Sequence, residues 1–310
     1  MSELHLIYGT GPLGKSVARE LVKLGKTVRM VNRSGRAERI PQGVELVASD
    51  AYDAAKNIEL VRGAHAVYQC AQPAYSEWAE KFPPLQQAIL AAAAQCGARL
   101  VVAENLYMYG HFTGNLREDS PVSPITKKGR TRAAMAQAVM DAHASGMVKA
   151  AIGRASDFFG PDDFSLTGYA ILPTVQGKKA NLMGRTDQPH SFTYIQDFGR
   201  LLATLGTRDE ALGQIWFAPT NPPITQMDFV RLIETELGKP VKTLVAGPLM
   251  MRLLGLFDRN ISESVEMLYQ WNNPLVIDSS KATRAFGLQP TPMTQAVRET
   301  IEWCRQVARS

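Results

Sequence analysis

Residues 9–14 read Gly-Thr-Gly-Pro-Leu-Gly. They follow a short apolar run, Leu4 to Tyr8, and open a stretch in which Val17, Leu21 and Leu24 recur at helical spacing before Gly25 stops it. A G-x-G-x-x-G triplet alone constrains little. Set between a strand and a helix, with a second strand ending about twenty residues later, it specifies a βαβ unit that cradles a dinucleotide. Glycines permit the tight turn and let backbone approach a pyrophosphate, and the helix N-terminus offers that pyrophosphate free N–H groups and a positive dipole end. Gly9, Thr10, Gly11, Pro12, Leu13 and Gly14 are therefore candidate cofactor residues.

Short apolar runs keep alternating with amphipathic stretches through the first half, the pattern of a parallel sheet. Strands are expected at 4–8, 27–31, 44–48, 66–70, 100–103 and 148–152. A helix is expected over 85–96, started by Pro83-Pro84 and stopped by Gly97. From about residue 160 the prolines 161, 173, 189, 219, 222 and 223 divide the chain into short pieces. Helices are expected there at 226–237 and 294–307, while 192–205 returns to the main domain. The fold class is α/β: a Rossmann-type doubly wound parallel sheet with a smaller C-terminal α/β lobe. Its division is 1–160, with 190–218 returning, as the nucleotide-binding domain, and 161–189 with 219–310 as a substrate-binding lobe.

With 45% hydrophobic and 20% charged residues over 310 positions, intrinsic disorder, collagen-like chains and disulfide scaffolds are excluded. The excess of 34 basic over 29 acidic residues is small and scattered, so no nucleic-acid partner is read from it. Cys70, Cys96 and Cys304 have neither pairing nor metal-ligand spacing, and the chain starts directly into a strand, so a reducing, cytoplasmic setting is expected. The apolar stretch 248–257 is half a membrane span and carries Arg252, which favours a core helix or a substrate lid over a membrane contact.

The end of the second strand, Val31-Asn-Arg-Ser-Gly-Arg36, lacks the acid that accepts from the ribose 2′-hydroxyl of NAD. Arg33 and Arg36 offer planar forks suited to a 2′-phosphate, with Asn32 and Ser34 as further donors, so NADP is expected over NAD. Asp50 is placed either to accept from the adenine amino group or to serve a surface turn. Ala71 and Arg154, at the ends of the fourth and sixth strand regions, complete the candidate cofactor set.

Several ordered segments resemble the short-chain dehydrogenase/reductase superfamily in its extended, epimerase/dehydratase-like branch. These are the glycine turn, Gly153-Arg-Ala-Ser-Asp-Phe-Phe-Gly-Pro161, Phe192-Thr-Tyr-Ile-Gln-Asp197, and Asp278-Ser-Ser-Lys281 followed by Phe286-Gly-Leu-Gln-Pro290. The resemblance covers nearly the whole chain and implies a Tyr-x-x-x-Lys pair on one helix with a Ser or Thr after strand five. Here Lys128 falls at the tyrosine position, Arg132 at the lysine position and Asn105 at the Ser/Thr position. The family's acid/base mechanism therefore does not carry over. Lys128 is the first candidate proton donor, because Lys127, Arg130 and Arg132 around it, with partial burial, favour its neutral form. Tyr107 is the second, and Arg132 keeps a cation for ribose hydroxyls but cannot transfer a proton. The run Lys127 to Arg132 opposes a helix dipole, so an anion should offset it: cofactor phosphates, an acidic substrate, Glu104 or Asp119.

The expected function is an NADP-dependent oxidoreductase acting on a small carbonyl or hydroxyl substrate, anionic if the basic run contacts it. A non-catalytic NADP-binding redox sensor and a sugar-nucleotide epimerase or dehydratase are the alternatives. The resemblance also implies a homodimer through the long helices, with 85–96 and 132–144 as faces.

Overall fold

The computed structural model describes residues 3–257 and 259–309. Strands β1 (Leu4–Tyr8), β2 (Thr27–Asn32), β3 (Glu45–Ala48), β4 (Ala64–Gln69), β5 (Arg99–Glu104) and β6 (Ala150–Arg154) all run parallel. Each of the six expected strands is present, with its bounds shifted by no more than two residues. Beyond them come short strands β7 (Phe158–Phe159), β8 (Ala180–Met183), β9 (Thr193–Tyr194), β10 (Ile215–Phe217) and β11 (Thr243–Ala246). β10 joins the main sheet beside β6, giving seven strands in the order β3-β2-β1-β4-β5-β6-β10. The order reverses at β1, and the crevice at the carboxyl ends of β1 and β4 is where such sheets bind ligands.

Alternation along the strands assigns side chains to two faces. Leu6, Tyr8, Val67, Leu100 and Val102 pack against α2 (Ala54–Val61), α3 (Trp78–Cys96) and α4 (Lys127–Ala144). Ile7, Ala66, Tyr68 and Val101 pack against α1 (Pro12–Lys23) and, across it, α6 (Ile195–Thr207). Strands buried on both faces need largely apolar runs, which is how β1, β4 and β5 read, with His5 and Gln69 among the buried polar exceptions. The 192–205 region does pack on this sheet, through Phe198, Leu201, Leu202 and Leu205. A further core gathers Phe159, Ile171, Phe192, Phe229, Trp271, Ile301 and Cys304. It is built around α5 (Leu172–Val175), α7 (Gln226–Leu237) and, near the C-terminus, Met293–Val307.

Two expectations are corrected. The helix expected from residue 85 begins at Trp78 and runs through Pro83 and Pro84. The prolines sit in its second turn, where they remove two backbone donors, and burial of Trp78, Phe82, Leu85 and Ile89 along one face outweighs that loss. The 248–257 stretch is not a core helix. Its helix α8 (Pro248–Gly255) buries Met251, while Leu249, Leu253, Leu256 and Phe257 in and after it are exposed. No helix among the described residues is long and apolar enough to cross a membrane.

Candidate functional site

The glycine turn has three distinct steric requirements. Gly9 adopts φ +108°, and a Cβ there would lie 2.8 Å from the Ala71 nitrogen across the switch point. A Cβ on Gly14 would lie 2.1 Å from the Gly9 carbonyl oxygen, so this glycine lets helix meet strand. At Gly11, by contrast, a Cβ would meet nothing within 4 Å. That open space belongs to a cleft of about 670 Å³ lined by residues 9–13, 69–72 and 103–107 together with Arg132 and 155–158. α1 starts from Gly11 with no side-chain cap, leaving its first N–H groups to whatever occupies the cleft. The turn thus fits a dinucleotide pyrophosphate by shape and by donor set.

The loop after β2 lies at the far end of this turn. Asn32 donates to the Thr10 hydroxyl at 2.7 Å and to the Arg36 carbonyl at 2.8 Å, and accepts from the Gly35 N–H. Ser34 is bonded within the same loop, to Asn32 and Arg36. The two polar residues therefore shape the turn, while the guanidinium groups of Arg33 and Arg36 stand exposed with no side-chain partner among the described residues. One oxygen of Asp50 accepts from the Tyr52 N–H, a turn contact.

At the other end, β5 delivers Glu104, Asn105 and Tyr107 to the cleft, and α4 delivers Arg132. Glu104 is fully shielded beneath the floor and pairs with two guanidinium groups, Arg154 at 2.8 Å and Arg132 at 3.6 Å. Arg154 also donates to the Tyr109 hydroxyl at 2.6 Å. Its guanidinium is thus held beneath the cleft, and Arg154, a candidate cofactor residue by sequence, does not line it. Burial pulls Arg154 down, but Glu104 and Tyr109 outweigh it and hold the group above its ordinary value. Arg132, only 2% exposed, donates to the Ala103 carbonyl at 2.9 Å and lies over the Phe82 ring, 4.7 Å from its centroid. Its Nε and Nη1 have no partner among the described residues.

Tyr107 lies over Trp78 and shares a hydrogen bond of 3.3 Å with the Tyr75 hydroxyl. Burial, with the Asp157 charge, raises Tyr107 above the ordinary tyrosine value, so its hydroxyl stays protonated at neutral pH. Asn105 accepts from the Tyr107 N–H through its side-chain oxygen. Cys70 also faces the cleft, its thiol pushed up to about 12 by burial.

Lys128 is placed differently from the sequence expectation. Its ammonium does not line the cleft; it pairs with Glu263 and, at 3.0 Å, with Glu266, above the Tyr75 ring. The expectation that neighbouring cations favour a neutral Lys128 is thus corrected: two carboxylates from helix α9 (Arg259–Ser264) and the turn after it meet this amine. The anions expected to offset the basic run are therefore mostly protein groups, Glu104 for Arg132 and Glu263 with Glu266 for Lys128, whereas Asp119 pairs with Arg117. Sequence reasoning missed Tyr75, Trp78, Phe82, Asp157 and the two glutamates. Only the four-residue spacing of Trp78 and Phe82, which puts both on one helix face, was a usable signal.

Residues 6–216 match the model of the NAD dependent epimerase/dehydratase family. No curated protein matches the chain. Among solved structures, a dTDP-glucose 4,6-dehydratase from Bacillus anthracis in complex with NAD superposes with a TM-score of 0.81 at 14% identity, covering 99% of this chain and 98% of that one. A UDP-glucuronic acid 4-epimerase from Bacillus cereus in complex with NAD does so at 0.78 and 17% identity, covering 98% and 99%. A putative epimerase from Burkholderia cenocepacia gives 0.78 at 18% identity, also covering 98% and 99%.

Proposed function

Because the chain belongs to the NAD dependent epimerase/dehydratase family, we propose that it is a nicotinamide-dinucleotide-dependent oxidoreductase that reduces a small carbonyl compound and prefers NADP to NAD. One observation carries this reading: a single cleft joins the uncapped glycine turn to a part-buried tyrosine, Tyr107, beside a buried arginine, Arg132. Gly9 to Leu13 would hold the pyrophosphate, and Arg33 and Arg36 would take the 2′-phosphate. The bound dinucleotide supplies the hydride. Tyr107 Oη holds the proton for the carbonyl oxygen, and Arg132 orients ribose hydroxyls from the position usually filled by lysine.

The raised Tyr107 favours reduction. Oxidising a hydroxyl would need the tyrosinate, which burial disfavours. Sugar-nucleotide epimerisation, the chemistry named for one of the structural neighbours, begins with that oxidation. The redox-sensor reading draws on Lys128: the residue at the usual tyrosine position is held by carboxylates outside the cleft.

The test is NADPH consumption with a carbonyl panel. Tyr107→Phe should bind NADPH normally and lose at least about a hundredfold in kcat, in line with a general acid, while Lys128→Met keeps turnover. Loss in Lys128→Met with retention in Tyr107→Phe would return the role to Lys128. Tight NADPH binding without turnover of any carbonyl would favour the sensor. Reduction by the wild type should hold level with rising pH until above about 10, the ordinary tyrosine value. In parallel, Arg33→Ala should weaken NADPH at least tenfold and NADH less than twofold; equal losses would overturn the NADP preference.

A further inference from the structure

The cleft beside Tyr107 has one wall made almost wholly of rings. Tyr75 packs edge-on to Trp78 at 5.0 Å, Trp78 to Phe82 at 5.2 Å, and Tyr107 stacks over Trp78 at 6.0 Å. All four line the cleft, with Leu275 also facing it. The charge balance runs against a phosphorylated ligand. Among the described residues the one cation lining the cleft is Arg132, which shares Glu104 with Arg154, whereas Asp157, bonded to His190 at 3.0 Å, and Asp163 add two more carboxylates. Lys15, close by on α1, is committed to Asp162, and Lys128 to Glu263 and Glu266. A nucleoside diphosphate seated beside the dinucleotide's own phosphates would meet one cation among the described lining residues, Arg132, against two carboxylates. The space is also limited: a cleft of about 670 Å³ is of the size that takes one drug-sized ligand, and part of it runs along the glycine turn.

Resting on the oxidoreductase reading, we infer that the substrate is a flat, uncharged, apolar carbonyl compound, an aryl ketone or aldehyde, and not a sugar nucleotide or an acidic carbonyl. Part-buried Tyr75 and Tyr107 supply ring surface against which an aryl group packs, backed by the buried rings of Trp78 and Phe82, and the indole N–H of Trp78, which has no partner among the described residues, is a neutral donor. Reduction then adds a hydride to the carbonyl carbon and the Tyr107 proton to its oxygen, giving the secondary or primary alcohol as the reduced dinucleotide is oxidised.

Acetophenone and phenylglyoxylate form a matched pair, differing by a methyl against a carboxylate, and UDP-glucose stands for the sugar nucleotides. Calorimetric titration into the protein saturated with NADP+ should rank acetophenone at least tenfold above both, and kcat/KM with NADPH should favour acetophenone over phenylglyoxylate by the same margin. Asp157→Asn should improve phenylglyoxylate relative to acetophenone at least fivefold, because it removes a facing charge without changing shape. Trp78→Leu risks the fold, since Trp78 is buried in the core; half-buried Tyr75→Leu should instead raise the acetophenone KM at least fivefold and leave the NADPH affinity within twofold. Tighter binding of UDP-glucose, or equal affinity for the neutral and acidic partners, overturns the inference and leaves the oxidoreductase reading standing. Absence of NADPH binding sinks that reading instead, and the rank order for the unloaded protein still decides the ligand class.

Discussion

His5 lies in β1 with its ring wholly shielded from water and its Nδ1 2.9 Å from the Tyr68 hydroxyl. Burial, reinforced by the neighbouring His65 and Lys26, pulls it from 6.5 to about 4. The folded chain therefore binds this proton less readily than the unfolded one. Stability tied to His5 is complete above about pH 6.5, declines as pH falls, and is lost below about 4, a change of roughly 3 kcal/mol. Urea midpoints at pH 7 and pH 4.5 should differ less in His5→Gln than in the wild type; an identical pH dependence would remove His5 as its source. The glycine turn makes a second contrast at this scale. Gly11→Ala, whose Cβ enters the open cleft, should fold with a loss of no more than about 1 kcal/mol and weaken NADPH more than tenfold. Gly14→Ala, driven against the Gly9 carbonyl, should fail to fold or lose several kcal/mol. Spacing alone announced that these glycines mattered. Which one faces the cleft and which one faces the strand appears only once the turn closes, because all three look alike in a string of letters.

Helix α4 shows how an element tolerates a sequence that opposes it. Four cations crowd its first turn and a half, yet Thr126 caps it by accepting the Gly129 N–H at 2.9 Å, and Glu266 accepts the Lys127 N–H at 3.0 Å. A carboxylate placed on the N-terminus satisfies orphan donors and answers the dipole and Lys128 together. Glu266→Ala should therefore cost about 1 kcal/mol, and Glu266→Gln, which keeps an acceptor but not the charge, should cost less; thermal melts of the two variants check the order. The basic run was legible as needing an anion. Its partners were not, because Glu263 and Glu266 lie 135 and 138 residues further along the chain, and no local pattern links such positions. The same limit explains the other element-level differences. Pro83 and Pro84 signal a helix start by local rules, and only the apolar face that α3 shares with the sheet carries the helix through them. β10 is three residues long and becomes a strand because β6 offers it an edge.

At the scale of the whole molecule, the alternation of apolar and amphipathic segments made the parallel sheet legible, since each strand buried on both faces must be largely apolar. What joins that sheet to the loops of the second core was not. Asp162, 3% exposed and at φ +66°, lies in the loop after β7 and meets Arg19 at 2.5 Å and Lys15 at 3.3 Å, both on α1. Arg39, at 3.8 Å, comes from the loop after β2 and also lies over the ring of Trp303 in the C-terminal helix. One buried carboxylate thus ties the helix of the glycine turn and the arginine-bearing loop to the second core. Removing it leaves three cations facing each other, the case in which breaking a buried pair costs most, about 3–5 kcal/mol. The side chains of Lys15, Arg19 and Arg39 are 12, 29 and 41% exposed, so water takes up part of that charge. Asp162→Asn, which keeps the shape and loses the charge, should accordingly lower stability by about 1–3 kcal/mol by urea denaturation. Proteolytic nicking around residues 160–165 should increase in parallel, because the left-handed backbone at 162 is held in place by these contacts. An unchanged midpoint would mean that solvent already screens the three cations, and that the two cores are held together by apolar packing alone.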